Sequence, residues 1–292
     1  MKSQLKWLFG PFWRCFLQVL PAKMHVVVLY WRRFGRIPNL EAPRTFNEKI
    51  LHRMLYDRDS RMPPLIDKIA VKETMAARFG NDFIIPTLAT FEDERDVDFR
   101  NLPYPCVIKA AHSSGMNMFL LKRPEVEREA RRELHRFLSY DHSSLYEEWA
   151  YLKVPHRILV EPLIDGGEHG LVDYKFHTFD GQVYAIQVDV DRHTDHRRCF
   201  YDTNWIKMRF ELLYPNADYE IPPPGCLNQM LWYAERIGET FSYVRADLYE
   251  IEGMVKFGEV TFYHGAGLER FHPAKFDMMF GAHWKNLSVR SS

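Results

Sequence analysis

The stretch VRADLYEIEGMVKFGEVTF, residues 244–262, alternates apolar and polar residues on both sides of Glu252 and Gly253. That is the period of two strands with one buried face, joined by a tight turn. On the first arm Val244, Ala246 and Leu248 point one way, and Arg245, Asp247 and Tyr249 the other. On the second, Val260 and Phe262 face the core while Glu259 and Thr261 face away. A turn centred near Gly253 sets Asp247 opposite Glu259 and Arg245 opposite Thr261. Cross-strand neighbours lie roughly 4.5–5.5 Å apart, and like charges so placed are destabilising. Three arrangements tolerate the pair: a register one residue off, solvated acids partly neutralised by Arg245, or a divalent cation. Mg²⁺ suits the third, because it takes carboxylate oxygens at about 2.0–2.1 Å and leaves other positions for water and phosphates.

Composition narrows the setting. The 292 residues carry 39 Lys and Arg against 39 Asp and Glu, and no basic stripe, so no field recruits nucleic acid. The four cysteines (Cys15, Cys106, Cys199, Cys226) are scattered without a CxxC pair. They read as reduced residues of a cytosolic protein, not as a disulfide frame or zinc site. No HExxH occurs; His193 and His196 in DRHTDHRR could pair on a metal, though a charged loop is the simpler reading. KWLFGPFWRCFLQVLP (6–21) is too short and too interrupted by Gly10, Pro11 and Arg14 to span a bilayer, and it lacks a small-residue cleavage site. Its aromatic residues Trp7, Phe9, Phe12, Trp13 and Phe16, beside Lys2, Lys6 and Arg14, suit either a membrane surface or a helix packed on the domain.

Along the chain, helical spacing runs through LIDKIAVKETMAARFG (65–80), and a strand is expected over DFIIPTLATF (82–91). CVIKAAHSSGMNMFLL (106–121) reads strand, small-residue loop, strand. EVEREARRELHRFLSYD (125–141) is an exposed charged helix and HRILVEPLI (156–164) a buried strand. DYKFHTFDGQVYAIQVDVD (173–191) is a hairpin turning at Asp180 and Gly181, and CLNQMLWYAERIGETF (226–241) an amphipathic helix. This order is α+β with mostly antiparallel strands, not regular βαβ alternation. GxxxxGK[ST], GxGxxG and GxSxG are all absent. A glycosyltransferase reading finds only a lone DVD at 189–191, inside a strand.

Two shorter signals carry chemistry. Lys109 ends a strand and is followed by Ser113, Ser114 and Gly115, a turn able to offer backbone N–H groups to anionic oxygens beside a point charge. Glu161 ends the apolar strand ILVEP; it could cap locally, or accept hydrogen bonds from a ribose. Taken in order, Asp67-Lys68 at a helix start, VIK with its Ser/Gly loop, VEP, RADLY and GEVT resemble the TupA-like ATP-grasp family of bacterial polysaccharide gene clusters. TFNEKI (45–50), EEWAY (147–151), DYKFHTFDG (173–181), DR (191–192), FYDTNW (200–205) and GLERF (267–271) extend the resemblance from about Phe34 to Gly281.

The resemblance implies an ATP-grasp fold, two α+β lobes with mostly antiparallel sheets holding ATP between them. The expected divisions are an N-terminal segment (1–40), a preceding region (41–100), a lid subdomain (101–160) and a metal-bearing C-terminal subdomain (161–292). Lys68 and Lys109 would contact phosphates, the loop of Ser113, Ser114 and Gly115 would cover them, and Glu161 would sit by adenine and ribose. Asp247 and Glu259 would bind Mg²⁺, and Arg245 would stabilise the transferring phosphoryl group. Thr261 stands where many ATP-grasp enzymes carry a metal-binding Asn, which puts a second Mg²⁺ in doubt. Lys175 and Arg192 are further candidates for phosphate or an acidic substrate, or for structural ion pairing.

The implied activity is an ATP- and Mg²⁺-dependent ligase of surface-polysaccharide biosynthesis, joining a carboxylate to an amine through an acyl phosphate. Its partners would be an acidic sugar or polysaccharide precursor and an amine or amino acid, in the cytoplasm or at the inner membrane face. Arg192, His193, Arg197 and Arg198 could meet the acidic sugar, and Tyr201, Trp205 and Trp232 could stack on sugar rings. Two alternatives stand beside it: a sugar kinase using Asp191 or Asp173 as base, and a nucleotide- or glycan-binding component without turnover.

Overall fold

The computed structural model describes residues 17, 19–166, 170–192 and 194–287. Most of the aromatic segment 6–21, and His193, therefore lie outside the described residues. The first long helix, Ala22–Phe34, buries His25, Val26, Leu29 and Tyr30 and ends at Gly35 in the left-handed region. Helix Phe46–Tyr56 follows, started by a reciprocal capping box between Thr45 and Glu48. No helix among the described residues is long and apolar enough to cross a membrane.

The helix expected over 65–80 is broken. It forms two pieces, Met62–Ile66 and Ala70–Phe79, with Asp67 extended at φ −63°, ψ 112° between them. The Asp67 carboxylate accepts from the Ile69 amide at 2.9 Å, an Asx turn that competes with the helix, and also from Arg157 at 2.6 Å. The expected strand over 82–91 shrinks to β1 (Ala89–Phe91), because Pro86 cannot donate to a ladder and a 3₁₀ turn occupies Asn81–Phe83.

Strands β2 (Cys106–Ala110), β3 (Asn117–Leu120) and β4 (Ile158–Pro162) complete an antiparallel sheet of order β1-β4-β2-β3, backed by helix Glu127–Leu138. Val97, Phe99, Ile108, Leu134, Phe137 and Val160 form its separate core. Six further strands make the large sheet, β5 (Asp173–Phe179), β6 (Gln182–Val190), β7 (Arg197–Tyr201), β8 (Lys207–Met208), β10 (Tyr243–Ile251) and β11 (Met254–Thr261). Its order is β11-β10-β5-β6-β7-β8, antiparallel throughout, while β9 (Glu211–Leu212) pairs with β12 (Phe271–His272) alone.

One face of the large sheet presents Tyr174, Phe176, Val188, Val244, Ala246 and Leu248 to the apolar core. Along the other face the central strands run from charge to ring, Asp173, Lys175, His177 and Phe179 on β5 and Asp247, Arg245 and Tyr243 on β10, with Tyr249 beyond the charged end. The ring end packs under helices Phe46–Tyr56 and Lys275–His283, where Phe46 meets Tyr243 edge-on at 5.0 Å and Phe280 at 5.7 Å. The charged end is left uncovered by these helices and becomes the floor of a cleft.

The opening hairpin has the expected outer register, Asp247 opposite Glu259 and Arg245 opposite Thr261. It reaches that register by a route the alternation did not show. Glu252 and Gly253, both at positive φ, make a two-residue turn that pairs Ile251 with Met254 and Leu248 with Phe257. A bulge at Gly258 then moves Glu259, not Gly258, opposite Asp247. A Cβ at Gly258 would stand 2.9 Å from the Asp247 carbonyl and 2.8 Å from the Tyr249 ring, so only glycine fits.

Candidate active site

Between the two sheets lies a cavity of about 240 Å³. Its small-sheet wall is built by β2, β4 and the broken helix. Val107 pairs with Glu161 and Lys109 with Leu159, so Lys109 and Glu161 are diagonal neighbours on one face, and Lys109 Nζ lies 2.5 Å from Glu161 Oε2. Lys72, one helical turn after Lys68, ion-pairs with the other Glu161 oxygen and donates to the Ile85 carbonyl at 2.7 Å. Burial pulls the Lys72 amine below its usual range. Burial alone would raise Glu161, but Lys109 and Lys72 outweigh it and hold the carboxyl below its usual value. Ser114 and Gly115 line the cavity; Ser113 does not, its hydroxyl being buried without a hydrogen-bond partner.

The large-sheet wall is a continuous ion network. Arg245 clamps Asp247 with two bonds of 2.7 Å and donates to Thr261 Oγ1 at 3.0 Å. Lys175 Nζ lies 3.0 Å from Asp247 and 3.1 Å from Asp173, which Arg192 also engages. Arg198 pairs with Asp189 at 2.6 Å and with Glu269 at 2.8 Å. The break at Asp67 brings Lys68 across from the other wall, where its Nζ lies 3.4 Å from Glu259 Oε2 and its backbone N–H donates to Ala111. Burial would raise Glu259 and Glu269, but for each the surrounding cations win and the carboxyl is lowered to about 2, Lys68 and Arg245 acting on Glu259 and Arg198 on Glu269. Asp247 and Glu259 tolerate each other because Arg245, Lys175 and Lys68 are interleaved between them.

This bears on a metal. Asp247 is 1% exposed at its side chain with both oxygens on cations, and Glu259 is 35% exposed with only contacts of 3.4 and 3.5 Å. The oxygen-only donor set fits Mg²⁺ through Glu259, with Asp247 available once Arg245 or Lys175 yields an oxygen. No cluster of three His, Cys, Asp or Glu side chains close enough to hold a metal occurs among the described residues.

The cavity excludes several expected contacts. Arg197 turns outward to Asp195, Tyr201 stacks on Trp205 at 4.3 Å, and Trp232 is exposed on helix Leu227–Gly238; none of these lines the cavity. Asp191 also lies off it, accepting from the Tyr219 hydroxyl at 2.5 Å. Conversely Lys72, Asp189, Glu269, His142, Glu148 and Tyr151 line it without having been singled out as site residues. Lys72 had a signal in its i+4 spacing from Lys68, and EEWAY and GLERF contained Glu148, Tyr151 and Glu269 as motif residues without showing that they line the cleft.

Comparison with known proteins shows the family. The model of the TupA-like ATPgrasp family matches residues 48–285, and the chain belongs to that family. No curated protein matches. Among solved structures, D-alanine–D-alanine ligase from Bacillus anthracis complexed with ATP is similar at TM-score 0.41 and 15% identity, covering 68% of this chain and 55% of that one. The Helicobacter pylori D-alanine–D-alanine ligase gives 0.40 and 16%, covering 76% and 61%. The ATP-grasp ligase PsnB complexed with minimal precursor, Mg and ADP gives 0.38 and 14%, covering 77% and 61%. The chain thus spans 55 to 61% of the length of these ligases.

Proposed function

We propose that the protein is an ATP- and Mg²⁺-dependent ligase that activates a carboxylate as an acyl phosphate and joins it to an amine. The observation that carries this is the convergence of Lys68, Lys109 and Lys72 on one cleft whose opposite wall offers Arg245, Glu259 and Asp247. Polyphosphate needs mobile cations, and phosphoryl transfer needs positioned charge more than proton transfer. On this reading Lys109 and Lys72 hold phosphates beneath the Ser114 and Gly115 turn, with Ser113 supporting the turn from inside. Glu161 positions the two lysines and, as the family resemblance implies, would sit beside the nucleoside. Lys68 meets the terminal phosphate, and Arg245 faces the transferring group. Glu259, Asp247 and Thr261 would hold Mg²⁺, which supplies charge neutralisation for the phosphate oxygens when bound.

At the far end Lys175, Arg192 and Arg198 make an anionic substrate the fitting carboxylate donor, and the family points to a uronic acid or other acidic precursor of surface polysaccharide. ATP supply places the reaction in the cytoplasm. Neither base of the kinase reading is placed to act: Asp173 is clamped by Lys175 and Arg192, and Asp191 is off the cavity. The test is ADP release in the presence of ATP, Mg²⁺ and a panel of uronic acids, with hydroxylamine as a trap. Hydroxamate formation supports the acyl phosphate, and ADP release with a phosphorylated sugar instead would replace the ligase by the kinase.

A further inference from the structure

The segment EEWAY, residues 147–151, has no part in the nucleotide or carboxylate ends of the cleft, yet the cavity wall includes Glu148, Tyr151 and the nearby His142. Glu147 sits in the left-handed region at φ 61° and separates two adjacent acids. Glu147 turns away to His25 Nδ1 at 2.7 Å, while Glu148 turns in to His142 Nε2 at 3.0 Å. His142 and Glu148 are 6% and 5% exposed, and His142 Nδ1 has no hydrogen-bond partner. A carboxylate only accepts, so Nε2 carries a proton towards Glu148, and Nδ1 is the ring nitrogen left without a partner.

We propose that His142 is the general base for the amine substrate, with Glu148 as the positioning residue that fixes its tautomer and attracts the incoming ammonium. This rests on the ligase reading above and names the other end of its site. Tyr151 links the dyad to the reacting corner: its ring lies 4.2 Å from that of His142. Its phenol is raised well above the usual range by burial and then by both Glu148 and Glu259. The remaining rings around His142 are Tyr140 at 6.1 Å and Tyr146 at 6.0 Å, so Glu148 is the one carboxylate hydrogen-bonded to the imidazole among the described residues. Tyrosine faces and a carboxylate suit a cation better than a neutral hydroxyl.

The proton balance is simple. An ammonium has no lone pair, so it first gives one proton to His142 Nδ1. The free amine then forms the C–N bond to the acyl carbon, the bond from that carbon to the phosphate oxygen breaks, and the departing phosphate takes the amine's second proton. The imidazolium returns its proton to water.

The first test needs no substrate. In ¹⁵N-histidine spectra of the full chain, with His142→Gln used for assignment, His142 should show an unprotonated Nδ1 that shifts on adding ethylamine. A protonated Nδ1, or an Nδ1 indifferent to ethylamine, overturns the proposal. The second uses hydroxylamine, which is neutral at pH 7 and needs no base. In His142→Gln, amide formation at pH 7 should fall at least tenfold more than hydroxamate formation and recover as pH approaches the amine's own pKa. Glu148→Gln should show the same profile more weakly. Equal loss of both products, or no recovery with pH, assigns His142 a structural role and overturns the proposal. Absence of hydroxamate from wild type with every uronic acid would defeat the ligase reading, and the spectra would still decide the tautomer.

Discussion

The two walls of the cleft use charge differently. On the small-sheet wall one buried acid, Glu161, serves two lysines, leaving a net positive charge, and Lys109 is 25% exposed. On the large-sheet wall Asp173, Asp189, Asp247 and Glu269 are each held between cations and all are buried. The first wall has a cation in excess of its own needs and so has affinity for an anion. Apart from the partly exposed Glu259, the second is balanced at its four buried acids and acts there as a rigid template, since a buried carboxylate that lost its partner would remain uncompensated. Binding is concentrated in the under-paired wall and geometry in the fully paired one.

The largest expected effect breaks the template. Arg245→Met leaves Asp247 with Lys175 alone and removes the donor to Thr261, so unfolding free energy should fall by roughly 3–5 kcal/mol, the cost of opening a buried ion pair. Denaturant titration measures it. A loss below about 1 kcal/mol would show the network to be as loosely coupled as surface ion pairs.

Acid should attack the same wall. Glu269, ordinarily near 4.5, is lowered to about 2, and Asp189 lies well below its usual 3.8. A depressed carboxyl contributes stability that is present above its unfolded pKa and lost as pH falls through the folded one. Melting temperature should therefore hold down to about pH 4.5 and drop progressively towards pH 2. An unchanged melting temperature at pH 3 would contradict the buried pairing.

Gly258→Ala tests how the template is aimed, and should cost on the order of 1–3 kcal/mol through the clash with the Asp247 carbonyl, within the range of single-site strain. The same substitution shows what the sequence could and could not reveal. Val255 and Phe257 face the core, as do Val260 and Phe262, so the apolar phase shifts by one residue at Gly258. That shift turns Glu259 into the cleft, and it is recognisable in VKFGEVTF only once the bulge is known. The strands of the large sheet's two hairpins and the turn at Asp180 and Gly181 were legible because they depend on local period and turn chemistry, whereas the expected facing of Asp247 and Glu259 is reached only because the bulge at Gly258 offsets the two-residue turn. TFNEKI was legible as a motif but not in its role: Asn47 binds Asp277 and the Glu269 carbonyl, and Lys49 caps the Gly281 carbonyl at 2.8 Å, so it anchors the C-terminal helix. The helix break at Asp67 and the ion partners of Lys175 and Arg198 were not legible. Each also involves a residue far along the chain: Arg157 for Asp67, Asp247 for Lys175 and Glu269 for Arg198.

The smallest stability change is expected where the contrast between the walls is sharpest. Lys109→Met removes one of two cations from Glu161 while Lys72 remains, so the acid is never left alone. The Lys109 pair is also partly solvent-exposed, which limits its worth to about 1 kcal/mol or less. Nucleotide affinity should respond in the opposite proportion, because the lost charge is the one not needed for internal balance. Calorimetric titration with a non-hydrolysable ATP analogue and Mg²⁺ should show binding weakened at least tenfold against a melting curve that barely moves. Lys72→Met should reverse the ranking: Lys72 is more deeply buried and also donates to Ile85, so its removal should cost more stability. If the two substitutions cost the same stability and the same affinity, the small-sheet wall is as internally committed as the large one, and the division between a binding wall and a template wall does not hold.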